Sequence, residues 1–103
     1  MFSARWQIDA KFGHKQAVID MLRKWEREVG SEVDLNKLDF RIMTGSMGAR
    51  EATVETHHTV GSLAELEGFF ADIGKLDAHK QWGKDMEPLV VSGSSLWQVF
   101  RIV

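Results

Sequence analysis

No cysteine occurs anywhere in the chain, and that alone excludes disulfides, thiolate metal sites, iron–sulfur clusters and cysteine nucleophiles. The same absence fits a reducing compartment. Long apolar runs are missing as well. The opening MFSARWQIDAKFGH is interrupted by Arg5, Asp9 and Lys11, so it lacks the uncharged stretch of a secretory signal, and nothing approaches membrane-spanning length. The expectation is a cytoplasmic protein with no membrane partner. Nor is there a surplus of positive charge. Thirteen Lys and Arg stand against fifteen Asp and Glu, a net charge of −2 that offers little counterion release from a nucleic acid backbone. Nucleic acid is therefore not an expected partner. A chain of 103 residues does allow one domain, spanning 1–103, whose core needs no covalent staple, because about two thirds of the unfolded surface can be buried at this size.

What is present is clear periodicity. In FSARWQID, Phe2, Ala4, Trp6 and Ile8 alternate with Ser3, Arg5, Gln7 and Asp9, the pattern of a half-buried strand. Beyond Phe12-Gly13 the period changes. Val18, Met21, Leu22, Trp25 and Val29 recur at spacings of three and four, with charged residues opposite, which predicts an amphipathic helix closing near Gly30. SEVDLNKL reads as a polar connection to a second strand, DFRIMT, and GSMG at 45–48 as a hairpin loop rather than a phosphate cradle. The third strand is EATVETHHTVGS, Glu51 to Ser62. A capping-box pattern follows at Ser62 and Glu65, opening a helix whose apolar stripe is Leu63, Leu66, Phe69, Phe70 and Ile73, with Gly74 at its stop. Asp77 is placed to cap a further helix, DAHKQWGKDME, which ends before Pro88 because proline disfavours helical geometry in the preceding residue. SLWQVFRIV supplies a fourth strand.

The predicted fold is therefore α+β, a ferredoxin-like β-α-β-β-α-β order with a four-stranded antiparallel sheet and the helices on one face. The helices cover the apolar sets of strand one, of Phe40 and Ile42, and of Ala52 and Val54. The other face then carries Arg5, Gln7, Arg41, Met43, Thr53, Glu55 and His57, where Arg5 and Arg41 could each pair with Glu55. Strand four presents either Leu96, Phe100 and Ile102 or Trp97, Val99 and Val103 to that open face. Either choice leaves large apolar groups that a monomer exposes to water. Burial against a second copy is the economical answer, so a homodimer is expected.

The order of elements, the Gly13 turn, DAHKQW and the closing SLWQVFRIV resemble the dimeric α+β barrel superfamily, which includes NIPSNAP-like, stress-responsive barrel and antibiotic-biosynthesis-monooxygenase-like proteins. The resemblance implies two ferredoxin-like sheets packed back to back. It covers the whole chain. RNA-recognition domains fit less well, since their third strand needs aromatics and EATVETHHTV has none.

Adjacent strand residues point to opposite faces, so His57 and His58 do not share one metal ion, and no metal site is predicted. Parity places His57 with Glu55 and the arginines, as a hydrogen-bonded or partly solvated member of a polar interface. His58 joins the helix-facing layer near the strand end, where a half-exposed capping role is the plain alternative to a site. His79 stands three residues before Trp82 on one helical side. With Trp6, His58, Phe69 or Phe70, and Met86, these two residues could line a cleft between sheet and helices that takes a small apolar or aromatic molecule. The competing reading is that the aromatics fill the core with His79 at its rim. His14 reads as a surface residue.

The resemblance also implies a haem option. Haem-degrading members carry an axial histidine in a segment like DAHKQW, matched by His79, but Trp6 and Phe69 stand where those enzymes have an asparagine and a tryptophan. Neither haem nor any other cofactor is expected. No nucleophile elbow surrounds Ser92, Ser94 or Ser95, and Asp77 and Asp85, eight apart, form no acid–base pair. Three readings remain: a homodimer binding a small apolar or aromatic molecule without an assignable reaction, a cofactor-independent or haem-type monooxygenase using His58 and His79, and a structural or regulatory dimer with filled clefts.

Overall fold

The computed structural model describes all residues from Met1 to Val103. Strand β1 (Phe2–Asp9) is followed by helix α1 (Lys15–Glu28), two short 3-10 turns, β2 (Arg41–Thr44), β3 (Thr53–Val60), α2 (Leu63–Gly74), α3 (Asp77–Met86), a third 3-10 turn over Glu87–Leu89, and β4 (Leu96–Arg101). The strands form one antiparallel sheet in the order β2-β3-β1-β4. This is the predicted α+β, ferredoxin-like arrangement.

Register explains which side chains share a face. Ala4 lies opposite His58 and Val99, and Trp6 lies opposite Thr56 and Trp97, so all of these face the helices. The open face carries Arg5 opposite His57 and Gln98, and Gln7 opposite Glu55 and Leu96. In β3 the alternation is complete: Val54, Thr56, His58 and Val60 are buried, while the residues between them are half-buried. Arg5 pairs with Glu55 at 3.0 Å as expected. Arg41 does not. It is bonded to Asp39, two residues away, and lies opposite His57, while Glu55 is already held by Arg5.

Several local features depart from the simplest reading of the sequence. SEVDLNKL is more than a polar connection: Leu35, the first residue of the second 3-10 turn, is 1% exposed and belongs to the core. Within α2 the inward stripe is Leu66, Phe69 and Ile73, while Leu63 and Phe70 remain exposed, so the apolar surface is wider than the layer beneath it. The N-cap Ser62 accepts from the Glu65 amide at 3.2 Å, and the Glu65 carboxylate reaches one residue further back, to the amide of Gly61. The cap position of α3 is Leu76, with Asp77 its first residue. In the β2–β3 connection a Cβ at Gly45 would collide with the Arg50 carbonyl, and Gly48 has φ of +79°, which explains the two glycines of GSMG.

Two apolar clusters support the sheet. One gathers Ala4, Trp25, Val29, Leu35, Val60, Leu66, Phe69 and Ile73, and the other Ile8, Ala10, Val18, Leu22, Val54 and Met86. Trp82 packs against both. Strand β4 lies beyond this cover. All six of its residues are exposed, Trp97 and Val99 on the helix side and Leu96 and Phe100 on the open side.

Candidate functional site

The gap between the two clusters is a cavity of about 380 Å³. Its floor is the helix-facing side of the sheet, Trp6, Thr56, His58 and Trp97, and its walls are Leu22 and Trp25 of α1, Phe69, Phe70 and Ile73 of α2, His79 and Trp82 of α3, and Phe40. Phe70 and Trp97, packed edge-on with centroids 4.9 Å apart, are its most exposed members and stand at the rim. All four tryptophans of the chain, from β1, α1, α3 and β4, meet at this one hollow.

The tryptophans are oriented by their own hydrogen bonds. The Trp6 indole donates to Ser95 Oγ at 2.7 Å, Trp25 donates to His79 Nδ1 at 2.9 Å, and Trp82 donates to the Met21 carbonyl at 2.9 Å. Each ring is thereby fixed, and three of the four indole N–H groups are satisfied within the protein. These three present mainly aromatic surface to the cavity.

His58 is 2% exposed and lies against Phe69, with ring centroids 4.6 Å apart. The half-exposed capping role does not apply: Val60 continues the strand past it, and α2 closes over it. Its Nε2 is enclosed without a hydrogen-bond partner. Burial, and secondarily the neighbouring His57, push its pKa down to about 4, so the ring is neutral at pH 7. His57 lies half-buried on the open face beside Glu55, with its Nδ1 enclosed and without a partner. His79 is half-buried, stacked on Trp82 with 20° between the rings, and its pKa is lowered by burial.

Of the residues singled out in the sequence, Trp6, His58, Phe69, His79 and Trp82 line the cavity. Met86 does not. Four residues beyond Trp82 on the same helical face, it passes the end of the hollow and is buried with Ile8, Val18 and Val54. His14 is exposed ahead of α1. Trp25 and Trp97 were not singled out as lining residues. Trp25 reads as an ordinary member of the α1 stripe, and the direction of Trp97 depends on the β1–β4 register, which has no local sequence signal.

The haem option suggested by the resemblance can be tested against this geometry. An axial histidine binds iron through a bare ring nitrogen while its other nitrogen donates to a neighbour. Here Nδ1 of His79 accepts from Trp25, which leaves the proton of the neutral ring on Nε2. The residues therefore do not fit a haem.

No protein family model and no curated protein sequence matches the chain. Solved structures do. A protein of Agrobacterium tumefaciens superposes with a TM-score of 0.79 at 13% identity, covering 100% of this chain and 94% of that one. A NIPSNAP family protein from the same organism gives 0.79 at 11%, covering 99% and 92%. A structure described as antibiotic biosynthesis monooxygenase gives 0.70 at 10%, covering 100% and 99%. The fold is the ferredoxin-like α+β fold of NIPSNAP and antibiotic-biosynthesis-monooxygenase-like proteins. At these identities the likeness concerns fold, and function has to be argued from the site.

Proposed function

We propose that the chain acts as a homodimer in which each protomer binds a flat, largely apolar molecule, an aromatic compound, in the cavity between sheet and helices. The observation that carries this reading is the convergence of all four tryptophans on one hollow of about 380 Å³. Close-packed interiors leave few voids larger than a water molecule, whereas small-molecule sites run to roughly 300–1,000 Å³ and are mainly apolar with a few polar groups. Here the polar groups are Thr56, His58 and His79. A hollow of this size weighs against a dimer with filled clefts.

The dimer is supported by β4. Leu96 and Phe100 stand exposed on the open face of an edge strand, with Ile102 exposed just beyond it, and apolar edges of this kind invite self-association. A reaction is not assigned. A monooxygenase reading needs a base or a cofactor to activate the substrate. His58, with its pKa near 4, is a weak base at pH 7, and His79 does not fit a haem. No specific observation favours the enzymatic reading over binding.

The test is titration with naphthalene, followed through the four indole N–H signals in ¹H–¹⁵N spectra. Binding in the cavity shifts all four along one saturable isotherm, and Thr56→Phe, which fills the floor, abolishes the response without unfolding the protein. Absence of saturable binding, or an unchanged response in the variant, overturns the reading.

A further inference from the structure

We propose that the Trp25–His79 hydrogen bond sets the polar specificity of the cavity, fixing His79 as a donor so that the site selects aromatics bearing a hydrogen-bond acceptor, such as an aryl ketone, quinone or ring nitrogen. The inference rests on the cavity-binding reading and deepens it.

An indole nitrogen can only donate. At 2.9 Å from Trp25 Nε1, Nδ1 of His79 must offer its lone pair, and a neutral imidazole then carries its single proton on Nε2. Stacking against Trp82, with ring centroids 5.8 Å apart, holds the imidazole in that orientation. Protonation to the imidazolium would set one N–H against another across the Trp25 contact. Burial independently disfavours the cation. His79 is therefore held as a neutral donor whose Nε2–H has no partner within the protein.

One other indole proton is unspent, that of Trp97 at the rim, a second donor that favours acceptors in the same sense. Trp6 and Trp82 have spent their indole protons on Ser95 and Met21, and the Nε2 of His58 is enclosed. The Thr56 hydroxyl can donate or accept, so it does not discriminate. A ligand oxygen or aromatic nitrogen opposite His79 completes a hydrogen bond. A group that can only donate meets another donor and loses its hydration without compensation.

Naphthalene, quinoline and indole test this as nearly isosteric probes with no polar group, an acceptor and a donor. In the wild-type protein quinoline gains on naphthalene, and indole does not. His79→Asn keeps a side-chain oxygen for Trp25 and withdraws the donor from the Nε2 position, its own amide N–H groups lying nearer the helix backbone. It reduces the quinoline-to-naphthalene affinity ratio about tenfold, whatever change is common to both probes. Trp25→Phe, which frees the tautomer, reduces the same ratio, and ¹⁵N shifts of wild-type His79 report the Nε2–H form. An Nδ1–H form, or a ratio unaltered by His79→Asn, overturns the selection while leaving cavity binding intact. Failure of naphthalene itself to bind overturns the cavity reading and the selection with it.

Discussion

The imidazole of His58 packs against the ring of Phe69 with centroids 4.6 Å apart, and its Nε2 is buried with nothing to bond to. A cation in this position has no carboxylate within salt-bridge reach.

The consequence is acid sensitivity. With a folded pKa near 4 and an unfolded value of 6.5, His58 takes its proton more readily in the unfolded chain. Stability is complete above pH 6.5 and falls as the pH drops toward 4, by about 3 kcal/mol from this residue. Below pH 4 the folded form is protonated too and the loss levels off. His79, also lowered, acts in the same direction. Urea midpoints at pH 7 and pH 4.5 measure the effect. His58→Leu removes both the titration and the unpartnered nitrogen, so it flattens most of the difference. A variant whose midpoint falls as steeply as that of the wild type would show that His58 is not the source.

Leu35 supports a second prediction. It is 1% exposed, and Gly30 lies so close that a Cβ there would stand 2.9 Å from its Cδ2. Leu35→Ala leaves a cavity and costs about 3 kcal/mol. Gly30→Ala overpacks the same contact and costs about 1 to 2 kcal/mol. Chemical denaturation of both variants checks the pair, and a loss below 1 kcal/mol for Leu35→Ala would contradict its placement in the core.

Leu35 also shows where sequence reasoning runs out. The strands and long helices are legible because their apolar residues repeat at two, or at three and four, over many positions. A lone leucine at the start of a three-residue 3-10 turn has no period to betray it. The same distinction holds in the site. Trp6, His58, Phe69, His79 and Trp82 lie on faces that parity and helical spacing assign, and all five line the cavity. Met86 shares the helical face of Trp82 but lies too far along the axis. Periodicity gives the direction of a side chain and says nothing of where a hollow ends. Trp97 depends on its pairing with Trp6, a register set only when β4 joins the edge of the sheet. The Trp25–His79 bond joins residues 54 apart and is equally silent in the sequence.

The last prediction concerns assembly. Leu96, Phe100 and Ile102 are each about half exposed on the open side of β4, and the Arg5 guanidinium lies 5.4 Å from the centre of the Phe100 ring. On a monomer this strip stays in water. Against a second copy it supplies an apolar centre to a face otherwise built of charged and polar groups, while the Arg5–Glu55 pair fixes the side chains beside it. Phe100→Glu places a carboxylate in that centre, and because the one guanidinium beside it is already engaged by Glu55, burying the added charge costs several kcal/mol, enough to dissociate a micromolar dimer. The variant keeps its fold, because Phe100 covers none of the core in the single chain. Analytical ultracentrifugation at micromolar concentration should find a wild-type dimer and a Phe100→Glu monomer with unchanged circular dichroism. A monomeric wild-type protein would leave the β4 strip without its proposed occupant and overturn the dimer, while the naphthalene titration would still decide the cavity.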